Sequence, residues 1–438
     1  MRVPVAPGRL PFLGHSVEMM RRRHRFTSSL RDHGEVVRVD LGPLTTFFVT
    51  TPQLAHQVLV TDAPRFRKGA MFDKFRPYLG NGLLLSDGRF HLRQRRMIQP
   101  AFHRERIDHY TGTMVRAATA LAGSWLPGEV RVVEDDMQAL AVTVVGESLF
   151  STRLGRRVVD EVRRSVFVVI KQGMVRALAP SFAEKLPLPG HREFDEAVAR
   201  MRAIVLDVIA SRRAEGAVDH GDLLSTLLLA QDEAGDGMTD RQTYDEVLTL
   251  LTAGIETTAL ALAWAFHEVS RHPEVERRLL AEVDEVLGDR PVTFADVPRL
   301  TYTAAVVDEV LRLYPVWILM RRATEPVELA GVGLPVGAEV IVSPHALHHD
   351  PVSFPDPYRF DPDRWLSPDT EVPRGAYIPF AAGARQCVGN VFARTEIMIT
   401  LVTVLARWRL VPVPGRPVRT RFTSAAYPSG LLMTVVRR

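Results

Sequence analysis

The stretch "FAAGARQCVGN", residues 380–390, contains the single cysteine of this 438-residue chain. Gly383 and Gly389 permit tight turns, so backbone amides can approach a thiolate at Cys387 closely. The segment that follows has a helical pattern, and the positive N-terminal end of such a helix points back toward the sulfur. This position lowers the pKa of a thiol and stabilises the thiolate, which is the form that binds metal. We therefore interpret Cys387 as a metal ligand.

Cys387 has two alternative interpretations. A lone cysteine is more often a small buried apolar residue, but the glycines and Arg385 around this one do not suit that role. A nucleophilic cysteine needs a histidine to activate it, and none lies near Cys387 in the sequence. A chain with one cysteine forms no internal disulfide, so cytoplasmic localisation is expected.

The overall composition is that of a soluble globular protein, with 46% hydrophobic and 24% charged residues. The net charge of +4 and the pI near 9.4 favour acidic partners only weakly. No nucleic-acid motif accompanies this charge, so we expect no nucleic-acid partner. The N-terminal residues 1–15 are rich in Pro and Gly and lack a continuous apolar run, so we expect neither a signal peptide nor a membrane anchor.

The hydrophobic periodicity predicts a mainly α fold with a small β-rich portion (α+β). Short β-like runs and a helix at 16–32 come first, and a helical period then dominates an α-rich body at about 87–313. The β-rich parts are expected at about 35–60 and 327–345. No internal repeat or low-complexity linker divides the chain, so residues 1–438 are predicted to form a single domain.

The longest apolar pattern, residues 244–270, would form a helix roughly 40 Å long. That length could cross a membrane, but Glu256 stands near its middle, where a carboxylate costs at least ~2.5 kcal/mol in a bilayer. We therefore predict a buried central helix. Its polar patch around Glu256 then requires a function.

The cysteine segment also matches the pattern F-x-x-G-x-R-x-C-x-G, through Phe380, Gly383, Arg385, Cys387 and Gly389. This pattern resembles the haem-binding loop of the cytochrome P-450 family, which are haem-thiolate monooxygenases. The resemblance implies haem b with Cys387 as its axial thiolate ligand. The implied cosubstrates are O2 and NAD(P)H-derived electrons.

The central helix carries a second motif of that family, Ala/Gly-Gly-x-Asp/Glu-Thr. Here it reads Ala253, Gly254, Ile255, Glu256 and Thr257. Small residues let a helix pass close over a flat cofactor and leave space for dioxygen, while a carboxylate and a hydroxyl can relay protons. The resemblance implies the cytochrome P-450 fold, with the long central helix over the haem.

The family's Glu-x-x-Arg motif is matched by Glu309 and Arg312, three residues apart on one helical face. This spacing is common in the chain, but this pair precedes a Pro/Asp-rich segment that contains residues 362–365, "PDRW". That element is similar to the family's Pro-Glu-Arg-Phe, with Asp for Glu and Trp for Phe. The resemblance implies a buried structural triad of Glu309, Arg312 and Arg364.

Haem propionates need cationic or hydrogen-bonding partners. The family's Trp-x-x-x-Arg motif appears here as His91 and Arg95. Arg321 and Arg385 match the other propionate-binding positions of the family. Arg322 is an alternative to Arg321.

Three further arginines, Arg89, Arg93 and Arg96, face away from His91 on the same predicted helix. They form either a docking site for an acidic electron donor or an ordinary solvated face. The resemblance implies a separate ferredoxin and ferredoxin reductase as redox partners.

The substrate pocket is predicted from segments that are mostly apolar, which indicates an apolar small molecule. Residues 315–323, "PVWILMRRA", are similar to a stretch of actinobacterial enzymes that oxidise terpenes, so hydroxylation or epoxidation of a terpene is expected. A fatty acid or a polyketide stays possible as the substrate. The predicted pocket residues are Phe72, Leu84, Thr249, Val316, Trp317 and Leu319.

Two alternative functions stay open at this point. A peroxide-driven fatty-acid peroxygenase would share the thiolate and the haem but would not need a proton relay through Glu256 and Thr257. A non-catalytic haem-binding protein would need neither the relay nor an apolar pocket. The presence of both features therefore favours oxygen activation.

Overall fold

The computed structural model describes residues 3–151, 156–178, 189–216, 218–316, 318–367, 371–422 and 425–438. The α-helices in these ranges are α1 (Ser16–Arg21), α2 (Arg23–Ser29), α3 (Pro52–His56), α4 (Ala70–Leu79), α5 (Gly88–Ile98), α6 (Arg104–Ser124), α7 (Val133–Phe150), α8 (Arg156–Leu178), α9 (Pro189–Ala214), α10 (Leu223–Leu229), α11 (Asp240–Arg271), α12 (Pro273–Leu287), α13 (Thr301–Leu313), α14 (Pro344–His348) and α15 (Asn390–Leu405). The strands are β1 (Val36–Leu41), β2 (Leu44–Val49), β3 (Phe66–Lys68), β4 (Val130–Val132), β5 (Leu319–Ala323), β6 (Val327–Leu329), β7 (Val332–Leu334), β8 (Glu339–Val342), β9 (Trp408–Pro412), β10 (Arg419–Phe422), β11 (Ala426–Ser429) and β12 (Leu432–Arg437).

The predicted fold class, mainly α with a small β-rich portion, is confirmed. The largest described sheet has five strands in the order β1-β2-β8-β5-β3, so the N-terminal hairpin pairs with strands from the second half of the chain. Strands β2 and β8 run parallel, and the other neighbours in this sheet are antiparallel. The sheet therefore brings Lys68 on β3 next to Arg321 on β5.

Two predicted boundaries differ from the structure. The helix expected at 16–32 is interrupted at Arg22, which leaves the helical region of backbone space at φ −124° and ψ 24°. The β-rich part expected at 35–60 ends at Val49, because Thr51 caps a new helix by accepting a hydrogen bond from the Leu54 amide and Pro52 occupies its first turn. A further π-helical turn covers residues 57–61.

The central helix α11 begins at Asp240, four residues before the predicted start, and its N-terminus is closed by a capping box. Thr239 accepts a hydrogen bond from the Gln242 amide, and the Gln242 side chain accepts one from the Thr239 amide. In its most apolar window, 78% of the residues are buried inside the protein. Helix α11 packs against α7, α13 and α15, so its long apolar pattern serves the core.

Candidate active site

The cysteine loop is held against the π-helical turn at 57–61. Gly383 has φ +68°, and a Cβ atom there would lie 2.3 Å from the carbonyl oxygen of Leu59, so only glycine fits this close approach. The Cys387 amide donates a hydrogen bond to the Phe380 carbonyl, with an N···O distance of 2.9 Å. Helix α15 starts three residues after Cys387, as the helical pattern of the following segment predicts.

The environment of the thiol corrects one expectation. Burial raises the pKa of Cys387, and this effect outweighs the Gly389 amide and Arg95, which lower it. The predicted lowering by the helix end is therefore wrong for the free thiol. The Cys387 side chain nevertheless has accessible surface. Both observations hold if the sulfur faces an internal gap instead of bulk water.

One stripe of the central helix α11 also has accessible surface, which we interpret as the border of an internal gap. Ala253 and Thr257, one turn apart, are exposed, although Ile255, Glu256 and Thr258 between and beside them are buried. The Thr257 hydroxyl donates to the Ala253 carbonyl at 2.7 Å. A stripe of small and hydroxyl-bearing residues thus borders open space in the middle of a core helix.

The other two motif residues face the protein interior. A Cβ atom at Gly254 would lie 3.2 Å from Val145 on α7, so this glycine permits close packing between α7 and α11. Glu256 is only 6% exposed. Burial raises the pKa of the Tyr427 phenol, and Glu256 lies close enough to add to this rise. Tyr427 also accepts a hydrogen bond from Gln138, and no sequence motif indicated this residue.

A group of buried and partly buried cations includes two of the predicted propionate-binding residues. Arg321 is 3% exposed, and burial together with nearby Arg385 lowers its pKa to about 10. Lys68 is 7% exposed, and burial, Arg321 and Arg385 lower its pKa well below the ordinary value. Asp87 accepts a hydrogen bond from Arg385 at 2.6 Å. The charge of this carboxylate partly opposes the lowering of the pKa of Lys68, Arg321 and Arg385.

Three cations with one nearby carboxylate are under-neutralised, and burying such charge is costly without partners. A ligand that carries two carboxylates fits this donor set, so the residues present suit the haem that the motif implies. Sequence reasoning missed Lys68, because only the pairing of β3 with β5 brings it beside Arg321. Arg322, the alternative to Arg321, instead pairs with Glu339 and Asp73.

Helix α5 supports the cysteine loop through both residues of the predicted His-x-x-x-Arg motif. His91 is 4% exposed and lies 3.5 Å from the Ala384 carbonyl through Nε2. Burial and nearby Arg385 lower its pKa to about 4, so it is neutral at pH 7. Arg95 Nη1 donates to the Gln386 carbonyl at 2.6 Å.

Glu309 is fully buried and is the centre of a polar network. It makes a bidentate pair with Arg312, with both N···O distances 2.8 Å, and accepts a hydrogen bond from Arg364 Nε at 3.1 Å. It also accepts from the Asp361 amide and the Trp365 indole, each at 3.0 Å. Tryptophan in place of the family's phenylalanine thus supplies an additional donor, which the sequence comparison did not indicate.

Arg312 connects the same network to the irregular segment before the cysteine loop. Its Nη1 donates to the carbonyls of His348 and Pro357 at 2.8 and 2.7 Å. His348 in turn bonds the Arg312 carbonyl through Nδ1 at 3.1 Å and accepts from the Ile378 amide at 2.9 Å. The chain just before the cysteine loop is therefore attached to α13.

The buried histidines of this region should make the folded protein less stable at acidic pH. Burial lowers the pKa of both His348 and His349 to about 3, and that of His24 to about 4. Between these values and about 6.5 the unfolded chain binds more protons than the folded chain, so the free energy of unfolding falls as the pH drops below about 6.5. Urea midpoints measured from pH 7.5 to 5 should fall steadily. Exposed His33 provides the control, since His33→Gln should leave this slope unchanged, and a flat profile in the native protein would contradict the assignment.

The predicted pocket residues lie on several elements. Thr249 is 5% exposed on α11 and lies beside Gly82, and Leu84 is 37% exposed in the loop between α4 and α5. Phe72 on α4 has its ring centre 4.6 Å from the Lys68 ammonium. Val316 forms a bridge with Ala425, and Leu319 begins β5. Trp317 lies outside the described residues.

The arginine stripe on α5 is mostly engaged within the protein. Arg93 Nε bonds Asp232 Oδ2 at 2.6 Å, and Arg96 pairs with Glu233. Arg93 is therefore held against the loop between α10 and α11, whereas the Arg96 side chain stays 65% exposed beside that loop. Arg89 stays exposed at the start of the helix.

A cysteine on a glycine-rich loop, a group of cations and an accessible stripe on a core helix together fit a haem-thiolate protein. The comparisons agree, since the cytochrome P-450 family model matches residues 4–435. The chain belongs to the cytochrome P-450 family, and it is a monooxygenase of that family.

Three relatives illustrate where the chain lies within the family. It is 48% identical to cyclooctat-9-en-7-ol 5-monooxygenase of Streptomyces melanosporofaciens over 415 residues, which cover 94% of this chain and 90% of the relative. It is 44% identical to cyclooctatin synthase of the same organism over 424 residues, covering 96% and 92%. Pentalenene oxygenase of Streptomyces avermitilis is 37% identical over 425 residues, covering 96% and 94%.

A solved structure shares the fold. The crystal structure of a cytochrome P450DA haem domain superimposes with a TM-score of 0.89 at 28% identity, covering 100% of this chain and 98% of that one. The resemblance to this family and to its terpene-oxidising actinobacterial members is confirmed.

Proposed function

We propose that this enzyme inserts one oxygen atom of O2 into a polycyclic terpene or terpene alcohol, by hydroxylation or epoxidation. The observation that supports this most directly is the 48% identity to a cyclooctat-9-en-7-ol monooxygenase over 94% of the chain. The mostly apolar residues at the predicted pocket positions, such as Phe72 and Leu84, suit a hydrocarbon skeleton. The relatives give no support to a fatty-acid peroxygenase or to a non-catalytic haem protein.

We assign haem b to the space between the cysteine loop and the exposed face of α11. Cys387 would ligate its iron, and Lys68, Arg321 and Arg385 would neutralise its propionates, since two of these cations are buried, the third is partly buried, and only one carboxylate is near them. His91 and Arg95 would hold the cysteine loop against α5. Bound haem would supply the binding and reductive activation of dioxygen.

Side chains of the central helix α11 would control the delivery of protons. With its proton engaged on the Ala253 carbonyl at 2.7 Å, the Thr257 hydroxyl presents lone pairs to the gap and can accept a hydrogen bond there. Glu256 is buried on the neighbouring face beside Tyr427 and would exchange protons with the interior. A rotation of the Glu256 side chain toward Thr257 would bring its carboxyl group to the same gap, where the protonated carboxyl group can donate a hydrogen bond to Oγ1.

Electrons would come from NAD(P)H through a ferredoxin reductase and a ferredoxin in the cytoplasm. The exposed side chains of α5 and of the start of α15 include the basic Arg89 and the apolar Leu92 and Val391, which are 42% and 48% exposed. A basic and apolar surface suits an acidic protein partner. We also propose that the chain forms one domain, since the family match is continuous from residue 4 to 435.

The test is turnover of terpenes by the purified haem-loaded enzyme with ferredoxin, reductase and NADPH. Pentalenene and cyclooctat-9-en-7-ol serve as probes, with lauric acid and hydrogen peroxide as the competing pair. A product heavier by one oxygen atom from a terpene, labelled when 18O2 is supplied, is the expected result. Lauric acid oxidised with peroxide, while neither terpene binds or reacts, would overturn the proposal.

A further inference from the structure

Two adjacent carboxylates near the start of α11 hold the loop between α4 and α5. Asp245 Oδ2 accepts a hydrogen bond from the Asn81 amide at 2.8 Å, and Glu246 Oε2 accepts one from the Leu83 amide at 2.8 Å. The other oxygen of Glu246 accepts from Gln94 Nε2 on α5 at 3.1 Å. One carboxylate pair therefore joins the central helix, the loop and α5.

The loop sequence is adapted to this contact. Gly80 has φ +73°, and a Cβ atom there would lie 2.1 Å from Asp245 Oδ1. A Cβ atom at Gly82 would lie 2.3 Å from Thr249 Oγ1. Both glycines are needed because the loop backbone lies directly on α11, without side chains between them.

Glu246 occupies an unfavourable place for a carboxylate. It is 0% exposed, and desolvation raises its pKa to about 7 despite the hydrogen bonds from Leu83 and Gln94. No arginine or lysine contributes to this shift, so hydrogen bonds from the loop and α5 are its stabilising contacts. An apolar residue would fill the core at this position without the cost of burying a carboxylate.

The anchored loop connects substrate and cofactor positions. Leu84 is 37% exposed, whereas Leu83 and Leu85 on either side are 8% and 1% exposed, so the anchor at Leu83 selects Leu84 as the side chain that points out of the core. At the far end of the loop, the Ser86 carbonyl and Asp87 bond Arg385 at 2.9 and 2.6 Å.

We propose that Asp245 and Glu246 form a carboxylate latch that fixes the loop between α4 and α5 and thereby sets the position of Leu84 against the substrate. The latch acts on regioselectivity through Leu84, so Glu246 is a positioning residue. The inference deepens the proposed function and rests on it for the substrate. Its structural half, the anchoring of the loop, stands without any substrate.

The first test is amide hydrogen exchange of the haem-loaded, substrate-free protein, comparing the native enzyme with Glu246→Ala and Glu246→Gln. Glu246→Ala should speed exchange at residues 81–84 at least about tenfold, because it removes the acceptor of the Leu83 amide. Glu246→Gln keeps an acceptor oxygen and should restore protection. Asp240→Ala on the exposed start of α11 is the matched control and should leave these amides unchanged.

The second test is the product ratio with whichever terpene the native enzyme oxidises. Glu246→Ala should change the ratio of regioisomers by about threefold or more with haem content retained, and Glu246→Gln should restore it. Unchanged exchange at 81–84 in Glu246→Ala would overturn the latch, and faster exchange with an unchanged ratio would overturn its role in selectivity.

If Glu246→Ala does not fold, Asp245→Asn, which weakens the bond to the Asn81 amide, is measured in the same two ways. Absence of terpene turnover by the native enzyme would refute the proposed substrate, while the exchange result still decides the latch.

Discussion

Glu309→Ala is expected to abolish haem incorporation. The substitution leaves the guanidinium of Arg312, which is 0% exposed, without its carboxylate, and it removes the acceptor of Arg364, Trp365 and the Asp361 amide. Breaking a buried ion pair costs ~3 to 5 kcal/mol, which is a large part of the ~5 to 15 kcal/mol that stabilises a typical domain. The chain before the cysteine loop would detach from α13. The haem-to-protein ratio and the thermal unfolding midpoint of the purified variant measure this directly.

A matched control uses the same spacing on the surface. Glu274 and Arg277 on α12 form an ion pair at the same i, i+3 separation, with an N···O distance of 2.7 Å, but both side chains are 68% exposed. Glu274→Ala should bind haem normally, because solvent already screens that pair. A soluble Glu309→Ala protein with full haem content and an unchanged unfolding midpoint would contradict the proposed role of the triad.

Thr257→Ala is expected to keep haem binding and lose coupling. The Thr257 hydroxyl bonds only the Ala253 carbonyl of its own helix among the described residues, so its removal disturbs no packing between elements. Without this hydroxyl at the gap, protons would be misdirected and reducing equivalents would leave as peroxide. The yield of product per NADPH should fall at least about tenfold, since proton transfer by a positioned side chain contributes ~10²-fold or more to rates.

Thr252→Ala is the corresponding control. The Thr252 hydroxyl makes the same kind of bond, to the Leu248 carbonyl at 2.8 Å, but its side chain is 4% exposed and lies away from the gap. Its coupling should equal that of the native enzyme. Tight coupling of NADPH oxidation to product in Thr257→Ala would show that this hydroxyl does not control protons.

The motifs that are local in sequence were predictable. The glycines around Cys387, the spacing of Glu309 and Arg312, and the small residues at Ala253 and Gly254 each express a constraint within a few residues. The length of α11 was predictable for the same reason, since its apolar pattern is continuous. The sequence explained Gly254 by the approach of α11 to a flat cofactor. The structure gives it a packing role, because Val145 lies next to the position of its missing side chain.

The contacts that depend on distant segments were not predictable. Lys68 joins the cationic group only through the pairing of β3 with β5, and β11 brings Tyr427 near enough to Glu256 for that carboxylate to contribute to the rise of its pKa. The ion pairs of Arg93 and Arg96 were not predictable, because nothing in the sequence places the loop between α10 and α11 against α5. The predicted pKa of Cys387 had the wrong direction, since burial is a property of the folded chain.

The central claim is that Cys387 ligates haem iron as a thiolate, and the carbon monoxide difference spectrum of the reduced, haem-loaded protein tests it most directly. A strongly red-shifted Soret band is expected, because a thiolate opposite carbon monoxide donates electron density to the iron. Cys387→Ser should bind haem without giving that band. A native, freshly prepared protein with its band at the position given by histidine or neutral-thiol ligation would contradict the assignment of Cys387 and the oxygen-activating role built on it.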